Sequence, residues 1–442
     1  MREQYIKHIL AFYLPFSLPP GEIEGALHIF ASMQFQSIIG QKETKEQLVK
    51  MVQHNRLSHA LLFLGKEGSG ALSLAVAFAQ YIVCEKVNGK QTTDNGQQAI
   101  EPSLFEEPDP VSSIRHTVSG NDSCGECPAC TKARQLIHPD IHFSYPVITR
   151  KPGDKPICTD FIKEWRDFIF TSPYGNVYDW LQFIEAENKQ GNITASECND
   201  INRKLSLKSF ESEYKILIMW MPEFLGREGN KLLKLIEEPP PNTLFIFVAE
   251  NEDLILPTIL SRTQLIKISA LKNVEVETAL ELTAGVAMEK AQQVAAVSDG
   301  NYREALQLLQ HAEDDWQYLL REWLNAIIKT GPVAQVKWID ETAKLGREKQ
   351  KQFLKYFIHL LEEAIRVRVI TTTNDKPQTT NDMDFALRLN KLCSIGQQEA
   401  IITELNKASY YIERNANAKM LFHALSIKLY HIISNNSLIL VN

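Results

Sequence analysis

The stretch that decides the fold is HALLFLGKEGSGALSLAVAFAQYIVC, which runs from His59 to Cys84. Its first part, HALLFLG, is a short apolar run that ends at Gly65, as expected of a strand buried on both faces. The apolar segment from Leu72 to Cys84 is long enough to form a helix. A strand, a glycine-rich turn and a helix in this order predict the opening of an α/β unit.

Four more apolar runs predict the other strands of the sheet. They are Ile141–Ile148, Tyr214–Trp220, Leu244–Ala249 and Leu265–Ile268. Helix-like stretches separate most of these runs, and residues 44–54 show a helical pattern ahead of the first strand. Alternating strands and helices indicate a parallel sheet that helices cover on both faces.

The length of 442 residues suggests about three domains. The strand signal ends near residue 270, which assigns 33–270 to the α/β domain, 271–315 to a small helical domain and 316–442 to a larger one. Residues 85–123 are polar and rich in Gly, Pro and Asn, so we predict a mobile insertion there. Residues 1–32 precede MQFQSIIGQKETKEQL, which reads as the start of a domain. We hypothesise that they are an extension created by a misassigned start codon.

The composition narrows the class of protein. A net charge of −7 carries no overall basic signature, so any DNA contact must be local or made through partners. No apolar run approaches the roughly 20 residues that span a bilayer, which argues against a membrane protein. The first 20 residues weakly resemble a secretion signal, but prolines interrupt the apolar stretch.

The turn after the first strand resembles a phosphate-binding loop that has lost its key side chains. A working loop reads G-x-x-x-x-G-K-[ST]: backbone N–H groups hold phosphates, the Lys neutralises them and the hydroxyl holds Mg²⁺. In GKEGSGAL, Gly65 and Gly70 keep the spacing, but Ala71 replaces the Lys and Leu72 the Ser or Thr. Two other interpretations stay open, a simple glycine turn and Lys66 acting from a shifted position.

The second half of an ATP site is an acidic pair at the end of a later strand, which holds Mg²⁺ and polarises water. In KILIMWMPE only Glu223 of such a pair remains. Both halves of the site therefore lack essential groups. We expect this chain neither to bind ATP productively nor to hydrolyse it.

Four of the seven cysteines predict a structural zinc site. Cys124, Cys127 and Cys130 are each separated by two residues, and Cys84 is available as the fourth ligand. Four thiolates at such spacing suit tetrahedral Zn²⁺. Disulfides and an iron–sulfur cluster are alternatives. His138 and His142 in HPDIH are also possible ligands, but a turn residue and a strand residue explain them as well.

These motifs resemble those of the clamp-loader AAA+ proteins, and among them the bacterial delta-prime subunits. The matching pieces are IIGQ, LSHALLFLG, CGECPAC, HPDIH, NKLLKLIEEPPPNTLFIFV and LPTILSRTQ. The resemblance covers Phe35 to about Leu309 and extends more loosely to the C-terminal helices. It implies an α/β P-loop AAA+ domain with a five-stranded parallel sheet and a zinc module, then an all-α lid and an all-α collar.

The resemblance also implies roles for two arginines. Ser261 and Arg262 match a serine-arginine-cysteine motif, with Thr263 in place of the cysteine. In this family its Arg reaches the ATP site of the neighbouring subunit, where it stabilises phosphate charge as an arginine finger. A surface arginine is the alternative. Arg303 in GNYREAL falls where related ATPases carry a phosphate-sensing Arg; without the loop Lys, a surface or interdomain role is favoured.

The function implied is that of a delta-prime subunit, or stator, which does not hydrolyse ATP itself. Its partners would be gamma/tau and delta subunits in a cytoplasmic hetero-pentamer of the DNA polymerase III holoenzyme. Through that complex it would contact the sliding clamp and primer-template DNA. One alternative is an active gamma/tau-type ATPase, against which Ala71 and Leu72 stand. The other is a zinc-bearing DNA-binding regulatory module, against which the acidic charge stands.

Overall fold

The computed structural model describes most of the chain. The described residues are 33–88, 120–151, 153–186, 189–310, 316–370, 381–413 and 416–435. The hypothesised extension, 1–32, and residues 89–119 of the predicted insertion lie outside them. The chain divides into two compact units, Met1–Gln307 and Leu308–Asn442, each taken by itself below. The three domain boundaries drawn from the sequence stay a prediction.

One parallel sheet organises the first unit. Its strands are β1 (Ala60–Gly65), β2 (Ile141–Ser144), β3 (Lys215–Trp220), β4 (Thr243–Ala249) and β5 (Gln264–Ile268). They lie in the order β2-β3-β4-β1-β5. Leu61 on β1 therefore has Ile246 of β4 on one side and Gln264 of β5 on the other. The predicted five-stranded parallel sheet is confirmed.

The second strand is shorter than predicted, because β2 ends at Ser144 and not at Ile148. Pro146 follows, and a proline has no backbone N–H with which to continue a ladder. Val147 forms an isolated antiparallel bridge with Asn192 instead. The apolar run thus continues as buried chain after the strand has ended.

Helices flank the sheet and connect its strands. They are α1 (Lys42–Gln53), α2 (Ala71–Val83), α3 (Glu85–Asn88), α4 (Pro128–Arg134), α5 (Ile162–Thr171), α6 (Val177–Phe183), α7 (Ala195–Ser206), α8 (Leu233–Glu237) and α9 (Pro257–Leu260). Short 3-10 helices occupy Phe35–Ser37, Cys158–Phe161, Pro222–Phe224, Gly226–Leu232 and Glu252–Leu254.

Two hydrophobic cores lie on opposite faces of the sheet. Along β1, Leu61 and Phe63 belong to one core, and Ala60 and Leu62 belong to the other, as the alternation of side chains along a strand requires. Every residue of α2 is buried, and most of them belong to the first core. This burial fixes the start of α2, and with it the turn after β1, against the sheet.

Three helices follow the sheet and are called the lid helices below: α10 (Asn273–Ala284), α11 (Met288–Ser298) and α12 (Tyr302–Gln310). Gly285 ends α10 in the left-handed conformation that glycine adopts without strain. Asp299 and Gly300, both also with positive φ, make the turn into α12. That turn brings the start of α12 to the loop that follows β1.

The described part of the second unit is helical throughout. Its helices are α13 (Trp316–Asn325, continued by a π turn at Ala326–Thr330), α14 (Pro332–Thr342), α15 (Arg347–Ile370), α16 (Asn381–Leu392), α17 (Ile395–Glu413) and α18 (Ala418–Asn435). Trp323 and Trp338 stack in its core with ring centroids 4.8 Å apart, and the Trp323 indole donates to Ser426 Oγ at 2.9 Å. None of the described helices has the length and apolar character needed to span a bilayer.

Candidate functional site

The degenerate phosphate loop lies between the end of β1 and the start of α2. Gly68 and Gly70 have φ of +72° and +83°, a region that favours glycine. Packing also demands glycines here. A Cβ on Gly65 would lie 2.7 Å from Ile268 Cβ, and a Cβ on Gly70 would lie 2.7 Å from the Tyr174 ring. The loop thus keeps the backbone form of a strand-turn-helix phosphate site.

The side chains of the loop do not supply the chemistry of such a site. Ala71 and Leu72 open α2, and both are buried, with exposed fractions of 8% and 6%. Neither an ammonium nor a hydroxyl group is available at these positions for phosphate or Mg²⁺. Lys66, the alternative cation, is exposed and lies at the opposite end of the turn.

A tyrosine covers the loop. The Tyr174 ring lies against Gly70, and its hydroxyl oxygen accepts a hydrogen bond from the Ile39 N–H at 2.9 Å. The space left between loop, Tyr174 and the ends of β3 and β4 has a volume of about 30 Å³. Small-molecule sites usually measure about 300–1,000 Å³. In this conformation the enclosed space beside the loop is far smaller than a usual small-molecule site.

Arg303, at the start of α12, closes the site from the lid side. Its guanidinium donates from Nη1 to Glu67 Oε1 at 2.8 Å and from Nη2 to Asp179 Oδ1 at 2.5 Å, and Nε contacts Asp179 Oδ2. The side chain is only 6% exposed. The surface interpretation of Arg303 is therefore wrong, since the residue joins a lid helix to the loop and to α6.

Glu223, the remaining acidic residue after β3, is engaged in a structural contact. Its Oε1 accepts hydrogen bonds from the backbone N–H groups of Glu250 at 2.7 Å and Asn251 at 3.0 Å. Burial raises the pKa of this carboxyl group. Trp220, where β3 ends, packs its ring 5.3 Å from that of Trp165. Trp220 and Glu223 thus link the hydrophobic core to the turn that follows β4.

The four predicted cysteine ligands form one cluster. The sulfur atoms of Cys84, Cys124, Cys127 and Cys130 all lie within 4.8 Å of one another, and those of Cys124 and Cys130 are 3.9 Å apart. Tetrahedral Zn²⁺ with Zn–S bonds of about 2.3 Å would set its sulfur atoms about 3.8 Å apart. The donor set and its spacing fit such an ion.

Backbone N–H groups donate hydrogen bonds to three of these four sulfurs. The N–H of Cys124 donates to Cys84 Sγ at 3.3 Å, that of Cys127 to Cys124 Sγ at 3.4 Å, and that of Cys130 to Cys127 Sγ at 3.4 Å. Such bonds favour the charged form of sulfur. A hydrogen bond with Cys130 lowers the pKa of Cys84 to about 5, and the same contact raises the pKa of Cys130.

The histidine alternatives do not join the cluster. Among the described residues the grouped metal-binding side chains are the four cysteines alone. His138 is buried and its Nδ1 accepts from the Asp140 N–H at 3.2 Å, while His142 lies within β2. Burial lowers the pKa of His142 to about 4. Cys158, Cys198 and Cys393 are buried free thiols that also lie outside the cluster.

Arg262 lies at a separate place, between α9 and β5. Its Nη1 donates to Thr258 O at 2.8 Å and to Ser261 Oγ at 3.0 Å, and Nη2 forms an ion pair with Glu237 at 2.5 Å. The side chains of Arg262 and Glu237 are 34% and 44% exposed. Ser261 thus supports the arginine directly, and the guanidinium is held at the surface by its own helix turn.

The sequence identified the loop, the cysteines and Arg262, but it missed the groups that close the loop. Tyr174, Asp179 and Glu67 occupy no recognisable motif, and α6 lies more than a hundred positions from Arg303 in the chain. The capping box of Asn176 and Asp179 was the available signal, because it marks the start of a helix. It does not reveal that Asp179 also binds an arginine.

This chain is similar to subunits of DNA polymerase III. The family described as "DNA polymerase III, delta subunit" matches residues 40–109 and 111–272, just over half of the chain. The tau subunit of DNA polymerase III from Bacillus subtilis is 23% identical over 73% of this chain and 45% of its own length. The delta' subunit from the same organism is 22% identical over 62% of this chain and 60% of its own length. The chain therefore spans less than two thirds of each of these two relatives.

One further relative and one solved structure are also similar to this chain. The delta' subunit of Escherichia coli is 21% identical over 82% of this chain and 89% of its own length. Among solved structures, a gamma subunit-related protein of DNA polymerase III from Thermotoga maritima has a TM-score of 0.30 at 12% identity, covering 87% of this chain and 99% of that one. The family match spans the loop, the cysteines and Arg262 and covers more than half of the chain. The chain therefore belongs to the DNA polymerase III delta family of clamp-loader subunits.

Proposed function

We propose that this chain is the delta-prime subunit, or stator, of a bacterial clamp loader, and that it does not hydrolyse ATP. It would support the ATP-dependent loading of a sliding clamp onto primed DNA and supply Arg262 to the ATP site of a neighbouring subunit. The observation that carries the proposal is the phosphate loop, where Ala71 and Leu72 replace the catalytic side chains and Tyr174 covers Gly70.

The loss of ATP chemistry follows from three features that act together. Ala71 provides no charge to neutralise phosphates, and Leu72 provides no oxygen for Mg²⁺. Glu223 has no aspartate beside it and accepts two backbone hydrogen bonds instead of orienting water. A change in one of these features would leave a weakened enzyme. Their combination supports a subunit that serves the complex without turning over ATP.

Arg262 retains what an arginine finger needs. Its guanidinium is always charged and is partly exposed, and Ser261 and the Thr258 carbonyl fix one edge of it. The Nη2 edge pairs with the exposed carboxylate of Glu237, and a phosphate of a neighbouring subunit could replace that partner. Exposed ion pairs contribute about 0–1 kcal/mol, so this exchange costs little.

The partners and the metal belong to the same proposal. The partners would be gamma/tau and delta subunits in a hetero-pentamer, with clamp and primer-template DNA contacted through the complex. Zn²⁺ would be held by Cys84, Cys124, Cys127 and Cys130 in a structural role, since four protein sulfurs leave no open position for substrate. The competing function is an active gamma/tau-type ATPase, because a tau subunit is among the relatives.

The purified chain is expected to show no ATP turnover, and so is the variant Ala71→Lys/Leu72→Thr. Restoring two loop side chains leaves Glu223 without its acidic partner and Tyr174 over the loop. The measurement is steady-state phosphate release, with a bacterial gamma/tau subunit as the positive control. Circular dichroism verifies that the variant is folded, because both positions are buried. Phosphate release by the wild-type chain would favour the gamma/tau-type function.

A further inference from the structure

We infer that Arg303 is a lock that holds the lid helices on the closed phosphate loop, so that the position of the lid does not depend on a nucleotide. This inference rests on the proposed function and deepens it. A stator has to hold its arginine finger in a fixed position. Because this subunit would have no bound ATP to fix its lid helices, other contacts have to do so. The ion pairs of Arg303 provide such contacts.

The first support is the charge arrangement around the guanidinium. Glu67 comes from the loop itself and Asp179 from the first turn of α6, so one planar side chain joins three elements of the first unit. The negative charge beside this guanidinium comes from two carboxylates of the chain itself. The pairs are largely shielded from water, and removal of one partner of a buried pair is strongly destabilising.

The second support is uncharged packing at the same contact. The Tyr302 N–H donates to Gly68 O at 3.3 Å, and the Tyr302 ring meets the Tyr174 ring edge-on at 5.0 Å. Asn301 lies so close to the loop that a Cβ on Gly68 would be 1.9 Å from its Oδ1. The lid therefore rests directly on the backbone that a working loop reserves for phosphate.

The third support is a link between the loop and the junction of sheet and lid. Gln41 Nε2 donates to Ser69 O at 3.3 Å and to Ser269 O at 2.7 Å. Ser269 directly follows β5, where the chain leaves the sheet for the lid helices. The loop is thus held at two places. Arg303 joins it to the start of α12, and Gln41 joins it to the residue where the chain leaves β5 for the lid helices.

The test is hydrogen–deuterium exchange of the full chain, read at residues 66–70 and 298–303. In Arg303→Gln the Tyr302 amide is expected to exchange about tenfold faster or more, because the lid opens more often. Arg303→Lys keeps the charge but cannot bridge two carboxylates, so its exchange stays fast. Arg150→Gln is the matched control, since it breaks an exposed ion pair with Glu164 and should leave both segments unchanged.

Two results would overturn the lock. One is equal exchange in Arg303→Gln and the wild type; the other is slower exchange in the wild type when ATP is added. If Arg303→Gln fails to fold, Glu67→Gln decides, because Glu67 is partly exposed and its loss leaves the Asp179 pair intact. ATP turnover by the wild-type chain, together with faster exchange in Arg303→Gln and no effect of ATP on exchange, would refute the proposed function alone. Equal exchange in Arg303→Gln and the wild type, in a chain that does not turn over ATP, would refute the lock alone.

Discussion

Replacing Cys127 by serine is expected to remove one equivalent of zinc and to lower the unfolding temperature of the first unit by about 10 °C or more. Structural zinc contributes its binding free energy to folding, and apparent values of about 10–16 kcal/mol are known for small zinc peptides. Cys127 is both a proposed zinc ligand and the N-cap residue of α4, where its sulfur accepts from the Cys130 N–H. Serine offers a weaker ligand at that position.

The effect should extend beyond the cysteines, because residues 34–37 form hydrogen bonds with the residues that precede Cys124. The Asp122 carboxylate accepts from the N–H groups of Phe35 at 3.0 Å and Gln36 at 2.9 Å, and Gln34 Nε2 donates to Ser123 O at 2.6 Å. Without the metal, these partners lose their support. Faster amide exchange at residues 34–37 is therefore expected along with the loss of zinc.

Metal analysis of the purified chain and calorimetry check this prediction. The control is Cys198→Ser, a buried thiol outside the cluster that should keep its zinc. A full equivalent of zinc in Cys127→Ser would exclude that residue as a ligand. A wild-type chain that contains iron and sulfide in place of zinc would revive the iron–sulfur alternative.

The sequence was sufficient to predict the parts of the fold that local patterns encode. Five apolar runs, most of them separated by helix-like stretches, predicted the five strands, and the spacing of Gly65 and Gly70 located the loop. The three closely spaced cysteines could be grouped with Cys84 because each thiol needs partners of the same kind. In these cases the physical constraint acts between neighbouring residues, or between residues of one rare type.

Contacts between distant, common residue types could not be predicted in the same way. Nothing in the chain pairs Asp122 with Phe35, or Asp179 with Arg303, before the sheet has folded and brought them together. Arg303 shows the consequence. Its sequence position left a surface role and an interdomain role open, and the two carboxylates that bury it come from α6 and the loop.

Arg262→Ala, assembled with gamma/tau and delta subunits, is expected to leave the complex intact and to slow hydrolysis at the neighbouring ATP site by about a thousandfold or more. The guanidinium of an arginine finger neutralises charge that develops on the transferring phosphate, which an alanine cannot do. The residue is partly exposed, its Nη1 contacts lie within its own turn and its ion pair with Glu237 is exposed, so its removal should not disturb the fold.

Clamp- and DNA-stimulated phosphate release by the purified complex measures this effect, and size-exclusion chromatography verifies assembly. Arg262→Lys should fail to restore the rate, because lysine lacks the planar fork that binds two oxygens at once. Lys267→Ala is the matched control, since it removes an exposed cation nearby in β5. Full activity of an assembled Arg262→Ala complex would make Arg262 a surface residue held by Glu237. A wild-type chain that joins no complex would instead refute the assignment as a stator, whatever the arginine does.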